Sequence, residues 1–199
     1  MEHKKKVISS EALASESAAK KFEEVLEIPS GINVVVEDNV ITLKKDNNEI
    51  KRKLNNRIVV KVDGNKVLIS SKNISKREKK ILYSIKAHIK NAFEGLSKGF
   101  KYKLQAVSVH FPMTLEFDKV NNVLLVKNFL GEKKPRTINI IPGVEVKLNK
   151  DLIELDSADI EKAGQVAANI EKGTKIRYRD RRVFQDGIFI TEKPGVVFI

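Results

Sequence analysis

An internal repeat constrains this chain more than any other feature. Asn39-Val40-Ile41-Thr42-Leu43-Lys44 returns as Asn122-Val123-Leu124-Leu125-Val126-Lys127, an offset of 83 residues (39 to 122). Val60-Lys61-Val62 returns as Val146-Lys147-Leu148 at an offset of 86 (60 to 146), and Ser75 as Ser157 at 82 (75 to 157). Val67-Leu68-Ile69 is matched by Leu152-Ile153-Glu154-Leu155. A near-constant offset across strand-like runs, a hairpin and a helix start marks a tandem duplication.

Each copy reads as strands followed by a helix. Ile32–Glu37 and Val40–Leu43 flank the turn-forming pair Asp38-Asn39, and Ile58–Val62 and Lys66–Ile69 flank Asp63-Gly64-Asn65. Both are hairpin signals, since Asn, Asp and Gly tolerate the left-handed backbone of tight turns. Ser75 followed by Glu78 has the form of a capping box. Ile81, Leu82, Ile85, Ile89, Phe93 and Leu96 then recur at helical spacing, and Lys98-Gly99 stops the helix. The second helix carries Ile160, Ala163, Gly164, Ala167 and Ile170, small residues that predict close packing on its own sheet. The expected class is α+β, with two tandem duplicated domains, each an antiparallel β-sheet covered by one helix. The first repeat is placed at residues 28–98 and the second at 99–190, with a C-terminal tail at 191–199. Lys98-Gly99-Phe100-Lys101-Tyr102 is read as an interdomain strand. Residues 1–27 form an N-terminal extension, either solvated chain or a helix capped by Ser10 with Ala18, Phe22 and Leu26 on one face.

Charge supplies the first functional constraint. Lys and Arg number 38 against 26 Asp and Glu, a formal net charge of +12. Such an excess is relieved by a polyanion, whose counterions are released on binding. RNA and an anionic membrane surface both qualify on charge alone. Cysteine is absent, which excludes disulfides, cysteine zinc sites and a thiol nucleophile. No apolar run approaches the roughly 20 residues that span a bilayer, and no signal-peptide core follows Lys4-Lys5-Lys6. The three histidines, His3, His88 and His110, show no metal-binding spacing, and His110 lies in a strand-like run. No phosphate-binding glycine loop or nucleophile elbow occurs. Acid pairs such as Glu23-Glu24 sit in charge-mixed stretches that read as solvated faces. The expectation is therefore no enzyme, no cofactor, no metal, no membrane partner and no small-molecule substrate.

The basic clusters are the candidate site. Lys172-Gly-Thr-Lys175-Ile-Arg177-Tyr178-Arg179-Asp-Arg181-Arg182 holds six cations and one anion in 11 residues. A strand there would put Lys175, Arg177 and Arg179 on one side and Ile176 and Tyr178 on the other. Arg clamps phosphate and stacks on bases, Tyr178 offers a stacking plane, and Phe184 and Gln185 follow as further candidates. The second cluster runs from Lys127 to Arg136 through Asn128, Phe129, Gly131, Lys133 and Lys134. It is read as a loop between strands, with Phe129 and Asn128 suited to a base and Gly131 to close backbone approach. A third stretch, Lys51-Arg52-Lys53 with Arg57 and Lys61, ranks lower because alternate strand residues face opposite sides. Aromatic-rich sheet signatures of free single-strand RNA binders are absent.

Several strings in fixed order carry a family resemblance. They are Gly99-Phe100-Lys101-Tyr102-Lys103 running to His110-Phe111-Pro112, then Asn128-Phe129-Leu130-Gly131-Glu132-Lys133. Gly164-Gln165-Val166-Ala167-Ala168-Asn169-Ile170-Glu171 follows, and then Asp180-Arg181-Arg182-Val183-Phe184-Gln185-Asp186-Gly187-Ile188. Over roughly residues 27–190 the chain resembles the universal large-subunit ribosomal protein six family, counted as protein nine in eukaryotic cytosolic ribosomes. Val183-Phe184-Gln185-Asp186-Gly187 stands where bacterial members carry a Tyr-Lys-Gly-Lys-Gly string, so the resemblance is to the archaeal type. The resemblance implies two duplicated α+β domains and a cytoplasmic, ribosome-bound protein. Its implied partners are 23S-type large-subunit ribosomal RNA near the sarcin–ricin loop and stalk base, and neighbouring ribosomal proteins. It implies that the second domain makes most of the RNA contact. Lys44-Lys45-Asp46-Asn47-Asn48 departs from the glycine-containing loop of the family, and residues 1–26 lie before the usual family start.

Overall fold

The computed structural model describes residues 23–46, 48–71 and 75–198. The first repeat holds β1 (Glu23–Glu27), β2 (Asn33–Glu37), β3 (Val40–Lys45), β4 (Asn48–Lys53), β5 (Ile58–Asp63), β6 (Lys66–Ser71) and α1 (Lys76–Lys98). Asp38 and Asn39 both take positive φ, 42° and 62°, the geometry of a two-residue turn that matches strand twist. Ser75 caps α1, its hydroxyl accepting from the Glu78 N–H at 3.2 Å. The Glu78 carboxylate accepts a hydrogen bond from the Ser71 hydroxyl, which ties the helix start to the end of β6. Leu82, Ile85, Ile89, Phe93 and Leu96 are buried as their spacing predicts.

The second repeat holds β7 (Phe100–Val107), β8 (Thr114–Asp118), β9 (Val123–Lys127), β10 (Arg136–Asn139), β11 (Glu145–Asn149), β12 (Leu152–Ser157), α2 (Ile160–Gly173), β13 (Gly187–Lys193) and β14 (Val196–Val197). Both repeats are antiparallel β with one covering helix, so the duplicated α+β class holds. In each, the β layer divides into two sheets. The order β2-β3-β4 is answered by β8-β9-β10, and β1-β6-β5 by β7-β12-β11. Even the irregular hydrogen bonds repeat. The Leu54 N–H donates to Asn39 O (2.6 Å) as Ile140 does to Asn122 (2.8 Å), and Ile28 to Asn65 (2.9 Å) as Ala106 does to Asp151 (2.7 Å).

Two expectations are corrected here. Glu23–Glu27 is a strand and not the end of a helix, because the open edge of β6 supplies backbone partners from Glu23↔Ser70 to Glu27↔Lys66. Leu26 packs against the core from that strand, while Ala18 and Phe22 lie outside the described residues. Phe100–Val107 is not a link between repeats. It lies inside the second sheet between β12 and β13, and β1 is its counterpart. The sheet then grows beyond the duplicated plan to the order β11-β12-β7-β13-β14.

Each repeat has its own aliphatic core. Ile41, Leu43, Val67, Ile69, Leu82 and Ile89 anchor the first, and Leu104, Leu124, Ile153, Leu155, Ala167 and Ile188 the second. A fully buried Ile or Leu contributes about 1.5–3 kcal/mol, against about 0–1 for a surface ion pair, so these cores dominate stability. The small face of α2 works as expected. Ala163 and Ala167 are fully buried, and a Cβ on Gly164 would stand 3.1 Å from the Tyr102 hydroxyl. The repeats meet where α1 crosses the start of α2. Arg52 of β4 reaches across to Asp159, the N-cap of α2 (2.6 Å), and to Glu161 (3.0 Å), and His88 of α1 lies 2.9 Å from the same Glu161. The third basic stretch of the sequence thus supplies a cross-repeat fastener through Arg52.

Candidate RNA interface

The main basic cluster occupies the connection from α2 to β13, which the unduplicated strand β13 creates. It is not a strand. Lys175 to Asp186 run as turns and irregular chain, and Tyr178 adopts a left-handed backbone at φ 61°. That backbone cannot alternate, so the expected two-sided display is corrected. The loop is held at its base instead. Thr174, 1% exposed, accepts at Oγ1 from the Ile188 N–H (3.0 Å) and donates to Ile170 O (3.3 Å), closing the loop's two ends. Ile176 is buried in the second core and Phe184 packs against it. Asp180 turns the tip, its carboxylate accepting from the Arg182 N–H at 2.9 Å and its carbonyl from Phe184 at 2.9 Å. Gln185 donates back to Arg182 O at 3.2 Å.

With the apolar residues turned in, the cations turn out. Lys172, Lys175, Arg177, Arg179, Arg181 and Arg182 are all exposed, as is Tyr178. The Arg179 guanidinium lies over the Phe184 ring at 4.7 Å, a partial fixation that leaves its charge available. Lys172, Lys175 and Arg181 also border a cavity of about 720 Å³ whose walls include Ile176, Phe184 and Phe189.

The Lys127–Arg136 cluster lies against this loop. Arg136 donates to Gly173 O at 3.0 Å and to Lys175 O at 3.4 Å, so its guanidinium joins the two basic segments. It also lies 4.1 Å over the Phe129 ring and makes a two-pronged pair with Glu132. The Arg136 guanidinium holds the Glu132 carboxyl below its ordinary range. Two residues therefore change role. Phe129, 1% exposed, is a core side chain and not a ring open to a base. Arg136 is committed to loop carbonyls and to Glu132, so it builds the surface from beneath. Lys133 and Lys134 remain exposed. Asn128, at φ 56°, donates to Pro112 O at 2.9 Å, and Lys127 pairs with Glu116 at 2.6 Å. Gly131 takes φ 78° beside the Phe111 ring.

One constellation had no sequence signal. Asp186, 3% exposed, accepts from the Val109 N–H (2.7 Å), the His110 N–H (3.0 Å) and the His110 ring at Nδ1 (2.6 Å). The partners stand 76 residues apart, and His110 sits in a bend after β7 and not in a strand. Burial pushes the Asp186 carboxyl up, but the hydrogen bonds from His110 and Val109 outweigh it and hold it below the ordinary range. A depressed folded pKa gives stability that is complete above the unfolded carboxylate value and lost as pH falls through the folded value. In acid melts, wild type should lose this contribution below the ordinary carboxylate range. Asp186→Asn should be less stable at neutral pH, with a shallower loss on acidification. Parallel acid limbs for the two proteins would refute the assignment.

Among the described residues no group of three or more His, Cys, Asp or Glu could hold a metal ion. The fold and the site together define a class: a duplicated α+β scaffold that presents a braced cationic loop from its second repeat. The chain belongs to the family described as Ribosomal protein L6, whose sequence profile matches residues 114–187. It is 39% identical over 175 residues to the large ribosomal subunit protein uL6 of Methanococcus vannielii, covering 87% of this chain and 95% of that protein. The uL6 of Methanobrevibacter smithii is 38% identical over 177 residues (88% and 98% covered), and that of Sulfurisphaera tokodaii 40% over 175 (87% and 93%). These relatives agree with an archaeal-type member.

Proposed function

We propose that this chain is a structural, non-enzymatic constituent of the cytoplasmic large ribosomal subunit that binds 23S-type ribosomal RNA, chiefly through residues 99–190. The observation that carries the reading is the pair of basic segments, Lys127–Arg136 and Lys172–Gln185, laced together by the Arg136 guanidinium on Gly173 and Lys175 carbonyls. Cations on a braced loop meet phosphates with little further loss of freedom, and phosphate contacts position a protein on folded RNA without reading paired sequence. The bound RNA is placed near the sarcin–ricin loop and the stalk base, as the family resemblance implies, with neighbouring ribosomal proteins as further partners.

Gradient sedimentation at low and moderate salt tests the assembly. The protein is expected to travel with large subunits in both. Hydroxyl-radical footprinting on the bound protein tests the surface, with protection expected on the two basic segments. Sedimentation at the top of the gradient, or protection centred on residues 30–97, would contradict the proposal.

A further inference from the structure

Asp186 holds both a backbone bend and an imidazole. A buried carboxylate accepts three hydrogen bonds, and two of them, from Val109 and His110 backbone, already fix the bend after β7. The third fixes an imidazole. Asp186 is ionised, so the proton of the 2.6 Å contact sits on His110 Nδ1. In the neutral ring this leaves Nε2 as a hydrogen-bond acceptor. One face of the ring stacks on Phe184 at 4.6 Å with planes 19° apart, and Arg179 covers Phe184 at 4.7 Å. The result is a ladder of guanidinium, phenyl and imidazole rising from the cationic loop. With Nδ1 on Asp186 and one face on Phe184, the His110 side chain is still 30% exposed. Val109 and Phe111 beside it are also exposed, at 60% and 50%.

We propose that His110 is an RNA-contact residue whose Nε2 accepts a hydrogen bond from a donor of the bound RNA, a ribose 2′-hydroxyl or an exocyclic amine of an unpaired base. The assignment rests on the RNA-binding reading above. It adds a contact of a different kind from the arginines. A guanidinium or ammonium has no lone pair to offer and serves phosphate, whereas an imidazole held in one tautomer accepts from the groups that distinguish RNA from a generic polyanion. Asp186 acts as the positioning residue. It sets the tautomer from behind, as carboxylates do for histidines in metal and hydrolytic sites.

The test uses the full chain and a synthetic large-subunit rRNA fragment that it binds. The chain has three histidines, so imidazole ¹⁵N spectra of the labelled wild-type protein resolve His110. At a pH where the ring carries a single proton, the free protein should show it on Nδ1, with Nε2 unprotonated. RNA should shift Nε2 without protonating it. In parallel, single 2′-deoxy substitutions, and inosine or purine riboside in place of guanosine or adenosine, are scanned through the fragment. One substitution should weaken wild-type binding about three- to tenfold, the worth of one hydrogen bond. The His110→Phe variant keeps the stack on Phe184. It should bind unmodified RNA weaker by the same factor and be indifferent to that one substitution. A 2′-deoxy effect identifies the ribose as donor, and an inosine or purine effect identifies the base. An Nε2 signal unmoved by RNA, an imidazolium on binding, or additive losses in a folded His110→Phe would overturn the assignment while leaving salt-dependent RNA binding intact. Wild type that does not bind the fragment overturns the RNA-binding reading and this assignment with it. If His110→Phe does not fold, the ¹⁵N measurement on wild type decides alone.

Discussion

Replacing Arg177, Arg179, Arg181 and Arg182 together with alanine is expected to weaken rRNA binding on the order of 10²–10³-fold at physiological salt, while the protein stays folded. Each phosphate contact contributes about 0.7–0.9 to the slope of log affinity against log salt, so four should flatten it by about 3. The structure supports the separation of binding from folding. Arg182 is 93% exposed at the side chain, which lies 3.6 Å from Asp180. Ile176, Phe184 and Thr174 hold the loop from inside, and none of them is changed. Exposed substitutions usually cost within about 0.5 kcal/mol each, with Arg179 adding roughly 0.5–1 for its contact with Phe184. Thermal melting and an affinity series across salt, on the same variant, check both halves. A folded variant with unchanged affinity and slope would remove this loop from the binding surface. Arg136 does not belong in the set. Its loss would unlace the two basic segments and confuse contact with support.

Gly95→Ala is expected to destabilise the protein by about 2 kcal/mol, a fall in melting temperature of roughly 4–8 °C. Helix propensity alone predicts the opposite, because Gly in a helix interior costs about 1 kcal/mol relative to Ala. Here a Cβ would stand 1.9 Å from the Ala158 carbonyl oxygen and 2.7 Å from the Phe100 ring. The oxygen is backbone and cannot rotate aside, so α1 and the start of α2 must separate. That separation stretches the Arg52–Asp159 pair, which is nearly buried on the aspartate side. Strain of this kind typically costs 1–3 kcal/mol and exceeds the propensity gain. Thermal melting measures the cost. An unchanged or raised melting temperature would show that the repeats are not locked at this crossing. RNA affinity should be nearly unaffected, since Gly95 lies outside the second repeat's basic loops.

The class of fold was legible because its signals are local and occur twice. Asp38-Asn39, Asp63-Gly64-Asn65, the Ser75 cap, the Leu82–Leu96 stripe and the small face of α2 each state their structure within a few residues. The second copy shows that none of them is accident. The positive charge of the α2–β13 connection was equally plain, since cations clustered in sequence must cluster in space. What periodicity could not reveal was pairing. Leu26 fits a helical stripe as well as a strand, and only the free edge of β6 decides for the strand. Phe100–Val107 looks like a connector until β12 and β13 flank it.

The site divides in the same way. Sequence by itself determined a duplicated α+β protein with a cationic surface suited to RNA, because residue type sets charge and local spacing sets secondary structure. Tertiary structure alone decided what each residue of that surface does. It buried Phe129, turned Arg136 inward onto Gly173 and Lys175, and set Tyr178 in a left-handed turn in place of a strand. It also brought Asp186 to His110 across 76 residues. Burial and long-range hydrogen bonding depend on which segments become neighbours. That choice is made by the summed free energy of two cores and carries no mark at any one position in the chain.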